Sequence, residues 1–173
     1  MIAQHILVPI DFSPYADQAL DYAMTLARVL QARLTLLHVM APLPLVGTEM
    51  NGTALGTYLD ELEAESTQAM AAYRDRATHA GLPCDVAVVL GTPYQVIIDT
   101  ARTRQVDLIV MGTHGRTGLR HLFLGSVAER VVQLAPCAVL VVRLPAPTPA
   151  QEPVSEENAR VEVPASPPAG GAL

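Results

Sequence analysis

Apolar positions in this chain fall into short continuous runs separated by longer stretches of helical period. His5–Ile10 (HILVPI) is the first run and has the length of a strand. Asp11-Phe12-Ser13-Pro14 breaks it, and Ser13 with Pro14 behind it forms a helix start, a capping side chain followed by a residue with φ already fixed. From there to about Gln31, Ala16, Ala19, Leu20, Ala23, Leu26, Ala27 and Leu30 recur at three- and four-residue spacing, one apolar stripe along a helix. Leu34–Val39 is a second strand. Met40–Thr57, with Pro42, Pro44, Gly47, Gly52 and Gly56, reads as a long loop, a functional lid or a mobile segment. Tyr58–Ala80 reads as a helix whose acidic start (Asp60, Glu61, Glu63, Glu65) and later arginines match the helix dipole, with Gly81 just past its end.

Cys84–Leu90 is the third strand. Thr92-Pro93-Tyr94-Gln95 has the form of a capping box and opens a helix to about Arg104. Asp107–Met111 is the fourth strand, Ser126-Val127-Ala128-Glu129 is a second capping box, Pro136 stops that helix, and Ala138–Val142 (AVLVV) is the fifth strand. Strict alternation of strands and helices predicts an α/β fold, a single five-stranded parallel sheet with helices on both faces. From Pro145 the periodicity vanishes: the last 29 residues hold seven of the 14 prolines. Two parts are therefore expected, a folded domain over 1–144 and a Pro/Ala-rich disordered tail over 145–173.

Composition narrows the chemistry. All 11 basic residues are Arg, so a P-loop lysine, a Schiff-base lysine and a lysine general base are excluded. A net charge of −6 with no basic run speaks against nucleic acid or an anionic membrane as partner. The longest uncharged run, Leu34–Thr48, is interrupted by two prolines and falls short of the roughly 20 residues a span needs. The N-terminus lacks the pattern of a signal peptide. Cys84 and Cys137 are expected to be reduced, buried thiols, and the expected location is cytoplasmic.

The stretch Met111–Arg130 (MGTHGRTGLRHLFLGSVAER) carries the functional signal. Four glycines, Gly112, Gly115, Gly118 and Gly125, lie between a strand and a helix start. Such a loop lets backbone come close to a ligand, and the following helix end attracts an anion, so it is expected to wrap the phosphates of a nucleotide. If the first and fourth strands are neighbours where the strand order reverses, Asp11 faces this loop across a crevice. A carboxylate there would accept ribose hydroxyls while the loop held phosphates. The loop is neither a Walker motif nor a dinucleotide fingerprint, and no cluster of Cys, His and carboxylate has metal spacing.

Each of these residues also has a plainer reading. Asp11 could be a second capping residue beside Ser13, and the Ser126 hydroxyl could cap its helix or contact phosphate. Arg116 suits a phosphate, Arg120 and His121 suit solvent equally, and His114 reads as a solvent-facing loop histidine. His38, inside an apolar strand, reads as a satisfied core or crevice histidine.

The spacing Gly112-x2-Gly115-x9-Gly125-Ser126 resembles the signature of the ATP-binding branch of the universal stress protein family. The opening Ile6–Leu20, the Leu36–Val39 strand and the closing Pro136–Val142 are similar to that family's first strand and helix, second strand and last strand. The resemblance covers residues 1 to about 143. It implies strand order 3-2-1-4-5, an adenine nucleotide with divalent metal carried on its phosphates, no metal ligand from protein side chains, and no catalytic residue. Under it, Asp11 would hold the ribose, and Pro9 and Val39 would border adenine. Met111 joins the nucleotide-binding set at the head of the loop. Gly112, Gly115, Arg116, Gly125, Ser126 and Val127 would hold phosphates. The resemblance also implies a homodimer through the last strand, Ala138, Val139, Leu140, Val141 and Val142.

Three functional readings follow: a nucleotide-dependent dimeric switch of the stress-response type, a slow ATPase on the same fold, and a nucleotide-free interaction dimer. Against the ATPase stands the lack of an evident base or nucleophile. A response-regulator receiver is excluded because the chain has no lysine and Leu90-Gly91-Thr92, not an aspartate, follows the third strand.

Overall fold

The computed structural model describes residues 3–41, 52–113 and 124–144. Five strands, β1 (His5–Pro9), β2 (Arg33–Met40), β3 (Cys84–Leu90), β4 (Leu108–Gly112) and β5 (Ala138–Val142), alternate with four helices, α1 (Pro14–Leu30), α2 (Gly52–His79), α3 (Pro93–Thr103) and α4 (Ser126–Leu134). All pairings are parallel and the order across the sheet is β3-β2-β1-β4-β5. The chain thus runs outward from β1 to β3, then returns to place β4 on the other side of β1. The alternation predicted from sequence and the order implied by the resemblance are both present.

Strand alternation splits the core in two. Ile6, Val8, Leu34, Leu36 and Val110 point to one face, where α1 and α2 cover them with Ala16, Ala19, Leu20, Ala23, Met70 and Ala77. Leu7, Leu37, Ile109 and Met111 point to the other, under Ile97 and Ala101 of α3 and Ala128 and Val131 of α4. The α1 side relies on alanine at its contact stripe, which lets the helix lie close to the sheet.

Helix ends follow local chemistry in part. Ser13 is the N-cap of α1, its hydroxyl accepting from Ala16 N–H at 3.3 Å, with Pro14 behind it. Gly81 ends α2 at φ +75°, and the two bonds Gly81 N–H to Thr78 O and Leu82 N–H to Ala77 O form a Schellman cap. Four expectations are corrected. The second helix starts at Gly52, not Tyr58, because once nucleated a helix gains one bond per added residue and runs through Gly56. Asp60, Glu61, Glu63 and Glu65 therefore lie beyond the first turn and do not match the dipole there, and the expected Met40–Thr57 loop shrinks from both ends, as β2 also extends to Met40. Neither capping box forms: Thr92 is the N-cap of α3 but makes no side-chain cap bond, and the N-cap of α4 is Gly125, which puts Ser126 inside the helix. The tail from Pro145, and residues 42–51, lie outside the described residues.

The two cysteines are half-buried rather than buried. Cys84 begins β3 and Cys137 immediately precedes β5, on opposite edges of the sheet, four strand spacings of about 4.8 Å apart, too far for a disulfide. Burial raises both thiol pKa values, that of Cys84 to about 11, so neither is a ready thiolate. No described helix is long and apolar enough to cross a membrane.

Beneath the sheet, at the N-terminal ends of its central strands, buried His5 knits four elements together. Its Nε2 meets Thr35 Oγ1 at 2.8 Å, its Nδ1 lies 3.0 Å from Arg33 Nη2 and 3.1 Å from Arg104 O, and Asp107 Oδ2 accepts from the N–H groups of Gln4 and His5. Burial first, and then the Arg33 guanidinium, lower the His5 pKa from its ordinary 6.5. The folded chain therefore resists a proton that the unfolded chain accepts. The contribution of neutral His5 is full above pH 6.5 and falls as pH drops below that value, until folded His5 also protonates. Urea unfolding at several pH values between 5 and 7.5 is expected to show a loss of stability toward acid that is smaller in His5→Gln; identical slopes would remove His5 as its source.

Candidate functional site at the strand-order reversal

The sheet order reverses between β1 and β4, and the backbone opens there for a specific reason. Even residues of β1 bond toward β2, as Arg33 N–H to Gln4 O and Ile10 N–H to Leu37 O show. Odd residues bond toward β4, as Asp107 N–H to His5 O shows. Pro9 follows on that side and has no N–H to give. The β1–β2 register runs to Pro9↔Leu37, while the β1–β4 register stops at Leu7↔Ile109. Beyond Leu7↔Ile109 the two strands pair no further, at the carboxyl ends where a doubly wound sheet places its ligand crevice.

One wall is the loop after β1. Asp11 Oδ1 accepts from Ser13 Oγ at 2.6 Å and from Ser13 N–H at 3.1 Å. Between them Phe12 has φ +63°, a left-handed conformation that a bulky residue seldom adopts. Its ring stacks on His38, centroids 4.5 Å apart, and meets the Tyr73 ring edge-on at 5.8 Å. His38 Nδ1 lies 2.7 Å from Ile10 O, so this buried histidine is satisfied as the sequence suggested. Burial first, and then Asp17, push the Tyr73 hydroxyl pKa up to about 12. Arg76 lies over the Tyr73 ring and reaches Asp17 and Asp21 of α1 at 3.1 and 2.7 Å.

The other wall is the end of β4 and the start of α4. Thr113, 3 % exposed, donates its N–H to Val142 O at 3.0 Å and accepts from Gly125 N–H at 2.8 Å. That bond joins the two ends of the glycine-rich stretch and commits the Gly125 amide to closing its base. The α4 N-terminus carries no side-chain cap. The first-turn amides of a helix, here those of Ser126 and Val127, have no partner within it, and together with the dipole they favour an anion.

Gly112 links the walls. A Cβ there would lie 2.6 Å from Tyr15 Cβ and 3.0 Å from the Tyr15 carbonyl carbon. Only glycine lets the first turn of α1, with Ser13 and Asp11 at its head, sit against the end of β4. The structure thus brings Pro9, Asp11, Gly112, Gly125, Ser126 and Val127 to the ends of adjacent strands. Met111, 5 % exposed, has its side chain in the α3–α4 core, and half-buried Val39 and Val127 pack against the same core. His114, Gly115, Arg116, Gly118, Arg120 and His121 lie outside the described residues. Two features escaped the sequence reading: the hold of Ser13 on Asp11, for which Asp-x-Ser was an available turn signal, and the Tyr15 contact, for which there was none. Among the described residues no three His, Cys, Asp or Glu side chains converge on a metal position.

A single parallel sheet whose order reverses at one point, with helices on both faces, defines a doubly wound α/β domain. Residues 3–143 match the universal stress protein family, and the chain belongs to it. Universal stress protein MJ0531 of Methanocaldococcus jannaschii is 34% identical over 140 residues, 81% of this chain and 82% of the relative. The solved structure of MJ0577 aligns with TM-score 0.73 at 29% identity, over 85% of this chain and 100% of that one. A universal stress protein in complex with cAMP aligns with TM-score 0.62 at 24% identity, over 82% and 98%. One from Archaeoglobus fulgidus in complex with dAMP gives 0.58 at 21%, over the same shares. At those last two identities the likeness is one of fold.

Replacing Gly112 by Ala is expected to destabilise the protein by about 1–3 kcal/mol, since the backbone of Tyr15 must move. Thermal unfolding checks this; an unchanged midpoint would mean that α1 and β4 are not held this close.

Proposed function

We propose that this protein binds an adenine nucleotide, ATP with Mg2+ carried on the phosphates, and acts as a nucleotide-dependent dimeric switch. The observation that carries the reading is the early end of the β1–β4 ladder at the strand-order reversal, with Asp11 following β1 and the uncapped start of α4 following β4. Asp11 takes the ribose diol, an assignment its negative charge supports, because a carboxylate binds hydroxyls and repels phosphate. Phosphates belong at the other wall, with Gly112, Gly115, Arg116, Gly125, Ser126 and Val127, while Pro9, Val39 and Met111 sit toward the base. Gly125 serves by its small size, its amide being used by Thr113. Fold relatives solved with cAMP and dAMP support an adenine nucleotide as the ligand class.

The test is mass spectrometry of small molecules released when freshly purified protein is denatured, set beside Asp11→Ala. Wild type is expected to yield ATP and the variant much less. ADP alone would replace the switch with a slow hydrolase. An empty site that also fails to take up ATP on titration would overturn the reading.

The dimer part rests on β5, an edge strand of apolar residues with Leu140 37% exposed. An apolar edge left bare invites uncontrolled pairing, and a second copy laid along it removes the hazard. Light scattering at micromolar concentration is expected to give a dimer for wild type and a monomer for Leu140→Arg; a monomeric wild type would refute this pairing.

A further inference from the structure

We infer that Ser13 is the positioning residue of the nucleotide site: it holds the Asp11 carboxylate in the attitude that accepts the ribose hydroxyls. The inference rests on the nucleotide reading above and adds to it which residue sets ribose discrimination. A helix cap needs only the bond from Ala16 N–H to Ser13 Oγ, and that bond is a long 3.3 Å. The single hydroxyl proton goes instead to Asp11 Oδ1 at 2.6 Å, the short distance of a charge-assisted bond. The Ser13 amide reaches the same oxygen at 3.1 Å. Two donors on one oxygen fix both the position and the plane of the carboxylate. Ser13 itself is 3% exposed, so its hydroxyl is shielded from competing water.

Capping alone does not account for the backbone either. Phe12 is held left-handed at φ +63°, which brings residue 11 back over residue 13. The rings of His38 and Tyr73 hold Phe12 there, and His38 is tied to Ile10 O. Residues 10–13 are therefore fixed as a unit whose outward product is one oriented carboxylate. The α1 helix would form without any of this beyond Ser13.

The test compares ATP with 2′,3′-dideoxy-ATP by calorimetric titration on wild type, Ser13→Gly, Ser13→Thr and Asp11→Ala. Glycine is an acceptable N-cap, so Ser13→Gly keeps α1 while deleting the hydroxyl, and a thermal melt verifies that it folds. Ser13→Gly is expected to weaken ATP by about 3- to 10-fold, the size of one ordinary net hydrogen bond, and to leave dideoxy-ATP unchanged. Ser13→Thr should restore the preference. Equal weakening of both nucleotides, or no weakening, overturns the positioning role. If Asp11→Ala loses ATP while Ser13→Gly does not, the site stands and this inference falls. If wild type binds neither nucleotide, both fall.

Discussion

The central constraint on this molecule is the pairing of β1 with β4. It is the strand pairing at the point where strand order reverses, so within the sheet it joins the β3-β2 half to β5. It is also cut short. Proline at position 9 faces β4 and has nothing to donate, so the ladder ends two residues before β1 does. The same junction is secured from below by His5, Asp107 and Arg104, which bind the entry of β1 to the entry of β4. The strands are thus clamped at one end and released at the other.

What the release exposes is shaped by close approach. Tyr15 occupies the space that a side chain at position 112 would take, and this draws the head of α1 against β4. The role of Gly112 in the described fold is spatial, since its backbone is not left-handed; the left-handed residue is Phe12 across the crevice. The strained conformation thus falls on a bulky aromatic residue, and three rings packed together hold it there.

Much of this was legible in the chain. Runs of Val, Leu and Ile at strand length fixed all five strands to within one or two residues, and the alanine stripe fixed α1. Gly52 and Gly56 read as breaks in the pattern, but glycine only weakens a helix, and the length of α2 outweighs two of them. Residue types alone suggest capping boxes at Thr92 and Ser126, but Thr92 takes the cap position without a side-chain bond, and at α4 Gly125 enters the helix first. Asp11 was identified as an acid facing a crevice. That its partner would be Ser13, two residues away, depends on the backbone turn at Phe12, which no pattern of apolar and polar positions encodes.

The division of the core by the sheet has one more consequence. Side chains on the α1–α2 face do not touch those on the α3–α4 face, because each strand sends alternate residues to opposite sides. Substitutions on the two faces should therefore combine additively, each with its own free-energy cost and little coupling. The crevice belongs to both, with Asp11 anchored through the first face and the start of α4 through the second. Variation in one layer can then retune one wall of the crevice while the other keeps its shape, and the two walls are free to diverge independently.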